Sequence, residues 1–200
     1  MPNWCMTTMT IHPASETKPF SKEMLEKLET AIDTNYLGDD PWTFHESWLG
    51  NLLCATGMTP EEVTNGGIRC RGRVAYCETS EEEIYLQVET AWCPQLGAVK
   101  KFLDHFGAEA EIIYSAEEPG TEVYYTNDPD EEGSFIFDDF NVGSFYDLSE
   151  SDLREMLTEK CGKHDEIDNL PVKELIAWAL NNYDDLSIHQ FENLPIEEWY

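Results

Sequence analysis

The fold is decided by the stretch EIYLQVETAWCPQLGAVKKFLDHF, residues 83–106, in which a strand is followed at once by a helix. The pattern predicts a strand from Glu83 to Trp92. Pro94 is typical of the first position of a helix, and we expect that helix to extend to Phe106, with Gly107 just past its end. The apolar residues of the helix fall on one side: Leu96, Val99, Phe102, Leu103 and Phe106.

The segments on either side of this stretch predict further strands and a second helix. An antiparallel hairpin is expected before it, and other hairpin signals follow it. The predicted elements are strands at about 4–12, 68–78, 83–92, 109–118, 121–126 and 134–137, and helices at about 21–33 and 94–106. The order β-α-β-β-α-β, followed by additional β structure, favours an α+β protein with a ferredoxin-like, split βαβ antiparallel sheet and helices on one face.

Residues 140–200 differ in character from the rest of the chain. Ser149 is a typical N-cap for a helix, and Pro171 is typical of the first turn of another helix. Residues 121–200 contain 21 acidic and 4 basic residues. We therefore predict a ferredoxin-like domain at 1–139, with an additional β-hairpin, and an acidic, mainly helical extension at 140–200 packed on it.

Charge is the strongest compositional feature of the 200-residue chain. It has 41 Asp and Glu against 12 Lys and Arg, for a formal net charge of −29. This argues against direct binding to nucleic acid or to an anionic membrane, because affinity for phosphate groups comes from Lys and Arg. The hydrophobic content of 41% is sufficient for a folded core, which argues against disorder.

Other features of the sequence bear on location and cofactors. No apolar run approaches the roughly 18 residues that a membrane-spanning helix needs. The first residues lack the charged and apolar regions of a signal peptide, so we expect a protein of the host cell cytoplasm. The six cysteines are then expected to be reduced core residues. Cys161 and His164 have metal-ligand spacing but supply half of a zinc site, and no cofactor is expected.

Two short motifs resemble a known family. Met1-Pro2-Asn3-Trp4-Cys5 opens the first strand, and Thr90-Ala91-Trp92-Cys93-Pro94 joins a strand to a helix. Both resemble the YubB-like ferredoxin-fold proteins of plasmids and phages, over about residues 1–139. The resemblance implies a ferredoxin-like fold and a mobile-element setting, and it implies no catalytic residues.

The acidic surplus favours an interaction protein over an enzyme. Rows of carboxylates can imitate a phosphate backbone and occupy the basic groove of a nucleic-acid-binding protein, such as a CRISPR or restriction nuclease. A solvated surface that merely aids solubility is the alternative interpretation of the same residues. The predicted partner contacts are Glu81, Glu82, Glu83, Asp128, Asp130, Glu131, Glu132, Asp138, Asp139, Asp184 and Asp185.

Two other functions remain open. An accessory protein-binding module could use the aromatic residues Trp42, Phe44 and Trp48 as anchors. A divalent-metal-dependent enzyme could use the carboxylates. A weak calcium-loop pattern offers one candidate metal site, although a hairpin turn explains the same residues: Asp128, Asp130, Glu132 and Asp139.

The arginines at alternate positions, Arg69, Arg71 and Arg73, form a small basic island. Alternation places them on one face of a strand. Pairing with carboxylates on the neighbouring strand, such as Glu89, is the favoured interpretation, and a small anion site is the alternative.

Overall fold

A computed structural model describes residues 3–34, 36, 47–120, 123–162 and 169–199. The contacts divide the chain into two units. The first unit is Met1–Asp128 together with Leu194–Tyr200, and the second unit is Pro129–Asn193. The second unit is therefore an insertion in the sequence of the first, and the division falls before the boundary predicted at 139/140.

The first unit contains most of the predicted elements. Its strands are β1 (Trp4–Pro13), β2 (Gly72–Thr79), β3 (Ile84–Ala91), β4 (Ala110–Glu118) and β5 (Val123–Thr126). Its helices are α1 (Lys22–Asp33), α2 (Asn51–Ala55), α3 (Pro60–Asn65) and α4 (Gly97–His105), and a 3-10 helix spans Ile196–Trp199.

The strands of the first unit lie in the order β2-β3-β1-β4-β5, and each pair of neighbours is antiparallel. This order and polarity are consistent with the predicted ferredoxin-like arrangement, and the α+β class is confirmed. Alternate residues of β1, such as Met9 and Ile11, are buried in a core with Met24, Leu28 and Phe102 of the helices. The helices therefore cover one face of the sheet.

Local signals set the beginnings of the helices. The Ser21 hydroxyl accepts a hydrogen bond from the Met24 amide at 3.2 Å and caps α1, as predicted. Thr59 and Glu62 form a capping box at the start of α3.

The second unit is a small α+β structure. It contains β6 (Phe135–Asp139), β7 (Gly143–Leu148), α5 (Glu150–Cys161), α6 (Val172–Asn182), β8 (Leu186–Gln190) and the two-residue β9 (Glu192–Asn193). Strands β7-β6-β8 form an antiparallel sheet in that order. Phe135 and Phe137 pack against Leu153, Leu157 and Leu175 of the two helices.

The C-terminal region thus contains the two predicted helices and also strands that the sequence did not predict. β6 pairs with β7 and β8 of this region, and so the chain divides before β6 rather than after it. Ser149 caps α5 as predicted, because its hydroxyl accepts from the Asp152 amide at 3.2 Å.

Candidate functional site

The carboxylates of the described residues lie on the surface of both units, with two exceptions. The side chains of Glu118 and Asp139 are buried. Because exposed carboxylates keep their hydration, the fold carries its large negative charge at little desolvation cost. Some of these carboxylates are bonded to neighbouring side chains, and others are accessible to a partner.

The predicted residues Glu81, Glu82 and Glu83 form the exposed turn between β2 and β3. The Ser80 hydroxyl accepts hydrogen bonds from the amides of Glu82 and Glu83, at 3.2 and 2.9 Å, and this holds the turn. Lys22 Nζ lies 3.5 Å from Glu81 Oε1. Both side chains of this ion pair are exposed, so it adds little to stability, and a cation of a partner can replace Lys22.

A surface groove of about 530 Å³ lies beside this turn. It is lined by His12, Pro13, Glu16, Pro19, Glu81 and Glu82. Three of these side chains are carboxylates, none is Lys or Arg, and the prolines supply apolar walls. The groove therefore has the chemistry to receive a planar guanidinium, which stacks on apolar surface and pairs with carboxylates.

The predicted acidic turn before β6 is held by a hydrogen bond within the turn and by another from the distant Asn193. Asn193 Nδ2 donates to Glu132 Oε2 at 3.0 Å, and the Ser134 amide donates to the Glu131 carbonyl at 2.9 Å. Asp130 and Glu132 are exposed, and Glu131 is half-buried. Asp128 belongs to the first unit, and its amide donates to Thr126 Oγ1 at 2.9 Å.

The structure brings Asp139 and Asp185 together at one end of β6, around Lys160. Lys160 Nζ donates to Oδ2 of each carboxylate at 2.8 Å. Asn141 adds a backbone donor to Asp139 at 2.9 Å and a side-chain donor to Asp185 at 2.6 Å. The hydrogen bond from Lys160, followed by that from the Asn141 amide, holds the pKa of Asp139 below its usual range.

These contacts hold the buried Asp139 and the partly exposed Asp185 in the hydrogen-bond network of the second unit. The two carboxylates together raise the pKa of Lys160, so its ammonium group stays ionised near neutral pH. Their neighbours Asp138 and Asp184 remain at least partly exposed. Of the four predicted contacts in this region, Asp139 is the buried one, and the other three carboxylates are exposed at least in part.

The weak metal candidate does not form a site. β6 spans Phe135–Asp139 and separates Glu132 from Asp139 by a strand of roughly 13 Å, whereas calcium ligands lie at about 2.3–2.6 Å. Among the residues that the structure describes, no group of three His, Cys, Asp or Glu side chains could hold a metal ion. His164 of the weak zinc pair lies outside the described residues.

Of the three aromatic anchors predicted for a protein-binding module, the described residues include Trp48, and its burial argues against that role. Trp48 is buried, and its indole N–H donates to the Cys70 carbonyl at 2.9 Å. Its burial makes it part of the core of the first unit. Trp42 and Phe44 lie outside the described residues.

The pairing predicted for the arginine island is confirmed at Arg73. Its guanidinium donates to both carboxylate oxygens of Glu89 on β3, at 2.6 and 3.0 Å. Arg69 Nη1 instead contacts Cys93 Sγ at 3.8 Å. All six cysteines are free thiols.

Sequence reasoning missed an exposed apolar surface on the hairpin of β6 and β7. Phe140 and Val142 are each 72% exposed, Tyr146 is 54% exposed and Phe145 is 37% exposed. The run of large apolar residues between Phe140 and Tyr146 was the available signal, because it has no helical stripe or regular alternation that would bury it.

No protein-family model matches the chain, and no curated protein matches it. Among solved structures, the chain is similar to one in the crystal structure of A. aeolicus tRNASec in complex with M. kandleri SerRS. The identity is 12% and the TM-score is 0.30, over 91% of this chain and 31% of that chain. A likeness of this size carries no argument about function. Within the described residues, no helix has the length and apolar character to cross a membrane.

Proposed function

We propose that this protein is an acidic inhibitor of a basic, nucleic-acid-binding defence nuclease of the CRISPR or restriction type. Its carboxylates take the place of phosphates in the groove of the nuclease. We also propose that it is related to the YubB-like proteins of mobile elements and acts in the host cytoplasm, where such nucleases act.

The groove beside the β2–β3 turn is the observation that carries the proposal. Glu16, Glu81 and Glu82 line a concave surface that has no Lys or Arg among its lining residues. A basic nucleic-acid-binding surface presents Arg and Lys at its rim, and bidentate pairing of Arg with carboxylate resembles its pairing with phosphate. Insertion of one Arg into this groove would anchor the acidic turn on the partner.

The other accessible carboxylates supply long-range attraction. Asp130, Glu132 and Asp184 are exposed, and a net charge of −29 accelerates encounter with a basic partner. Binding of this kind releases the counterions held by both surfaces, as duplex binding does, so the affinity should fall steeply as salt increases.

The test is capture of a nuclease from a lysate of a nuclease-bearing host on the immobilised protein, with duplex DNA as competitor. We expect the captured nuclease to elute with duplex DNA and with moderate salt. The variant Glu16→Gln, Glu81→Gln, Glu82→Gln should capture at least tenfold less, because it loses three charges in one groove.

The matched control removes three exposed carboxylates elsewhere in the first unit, Glu26→Gln, Glu61→Gln and Glu197→Gln. This variant has the same net charge, and we expect it to keep most of the binding. An equal loss of nuclease capture in both variants would show that net charge alone is responsible, and it would contradict the proposed role of the groove. If duplex DNA does not displace the captured nuclease, the proposal of nucleic-acid mimicry is wrong.

A further inference from the structure

Among the residues that the structure describes, no strand pairs with the outer edge of the β6–β7 hairpin. β7 is the outer strand of the β7-β6-β8 sheet, and each of its residues from Gly143 to Asp147 is exposed. An outer strand presents backbone N–H and C=O groups on the side away from its neighbour. Charged residues or proline commonly protect such edges, whereas β7 carries the large apolar residues Phe145 and Tyr146 next to its one charge, Asp147.

A groove runs beside this edge on the side of the sheet that faces α5. Its volume is about 350 Å³, and its lining residues are Phe137, Asp139, Val142, Phe145, Met156, Glu159 and Lys160. The rings of Phe137 and Phe145 lie 6.3 Å apart and form part of the apolar lining. An open strand next to an apolar groove is the arrangement by which sheets bind extended peptides, with backbone pairing at the edge and a side chain in the groove.

The charges around the groove determine which segment fits. Lys160 is held by Asp139 and Asp185, so it offers no free positive charge. Glu159 at the groove is exposed, and so is Asp147 in the strand. A second copy of this chain would bring the same carboxylates and a net charge of −29 against them. The local charge therefore favours a basic occupant.

We propose that β7 and the groove between it and α5 form a docking site for an extended, basic segment of a partner protein. The segment adds to the edge of β7, places one apolar side chain among Val142, Phe145 and Met156, and pairs its Lys or Arg with Glu159 and Asp147. This site is separate from the acidic groove of the proposed function and does not depend on it.

The test uses the full chain and three synthetic peptides, with binding followed by backbone amide shifts in NMR spectra. The first peptide is Lys-Val-Lys-Val-Thr-Val-Lys. The second replaces each Val with Ser, and the third replaces each Lys with Glu. We expect the first peptide to shift the amides of residues 143–148 and the other two to leave them unchanged.

A matched pair of variants locates the contact. Val142 and Phe140 are equally exposed on the same hairpin, but Val142 lines the groove and Phe140 does not. We expect Val142→Ser to weaken the first peptide about tenfold, because one buried apolar contact is lost, and Phe140→Ser to leave its affinity unchanged. The variant Glu16→Gln, Glu81→Gln, Glu82→Gln should also bind it normally.

Three results would overturn the proposal. Equal shifts from the Lys-Ser peptide would show attraction by charge without docking. Equal losses in Val142→Ser and Phe140→Ser would place the contact at the hairpin tip. Concentration-dependent shifts of residues 143–148 without peptide, with a doubled mass in solution, would show that a second copy occupies the edge.

Discussion

The indole N–H of Trp199 donates a hydrogen bond to the hydroxyl of Tyr114 at 2.7 Å. The same hydroxyl donates to the Leu194 carbonyl at 2.8 Å. Tyr114 is buried in β4, and the ring of Trp199 also packs against Tyr125, with centroids 5.8 Å apart. The segment after the second unit is thereby joined to the core of the first.

Replacing Tyr114 with Phe should destabilise the first unit by about 1–3 kcal/mol, because a partly buried indole N–H and a carbonyl lose their partner. Denaturant unfolding monitored by tryptophan fluorescence measures this change. Tyr76→Phe is the control. Tyr76 is 46% exposed, so removal of its hydroxyl should reduce the stability much less. Equal stability of the two variants would contradict the importance of the Tyr114 hydroxyl.

Replacing Trp48 with Ala should cost about 3–5 kcal/mol of unfolding free energy, because a buried indole and its hydrogen bond to Cys70 are lost. Trp4→Ala serves as the comparison, because Trp4 is 38% exposed and its replacement should lower the unfolding free energy by less. If Trp48→Ala kept its stability and lost only partner binding, Trp48 would be an interface anchor after all.

Replacing Lys160 with Met should destabilise the second unit in a pH-dependent way. The pKa of Asp139 is lowered in the folded state, so its contribution to stability is present above the ordinary carboxyl pKa and is lost as pH falls through the lowered value. The variant leaves Asp139 buried without its cation. We therefore expect a larger loss of stability at pH 7 than at pH 3, measured by thermal unfolding at each pH.

An equal loss of stability at pH 7 and pH 3 would show that Lys160 stabilises the unit through the packing of its aliphatic chain and not through its charge. Asp184→Asn is the control for this experiment. Asp184 is exposed beside the same cluster and makes no described contact with Lys160, so its replacement should have little effect at either pH.

The thiols should differ in their reaction with iodoacetamide at pH 8. Burial raises the pKa of Cys5 to about 12 and that of Cys70 to about 11, so both are protonated and inaccessible. Cys93 is half-buried beside the Arg69 guanidinium and should react first. Mass spectrometry of native samples measures the order, and labelling of Cys5 before Cys93 would contradict it.

The elements that the sequence predicted well depend on neighbouring residues. Ser21 and Ser149 cap helices through amides three residues away. The periodicity after Pro94 identifies α4 from its own residues, although the helix begins at Gly97 and not at Pro94. Spacing along the chain carries such information, and the resulting order of strands and helices was sufficient for the α+β class.

The errors concern relationships across the chain. β7 is exposed at nearly every position, so it has no alternation to detect, and β8 is five residues long. The boundary before β6 follows from its pairing with these two strands. The bond from Lys160 to Asp139 joins residues 21 apart, and neither its existence nor the burial of Asp139 can be deduced from an acidic sequence pattern.

The insertion of the second unit has a consequence for synthesis on the ribosome. Residues 194–199, which complete the hydrogen bonding of Tyr114, emerge only after the whole second unit has been translated. Until then, the Tyr114 hydroxyl and the apolar surface around it stay uncovered in the nascent first unit. A protease or chaperone in the cell would therefore meet the first unit with this part of its core uncovered until residues 194–199 have been made.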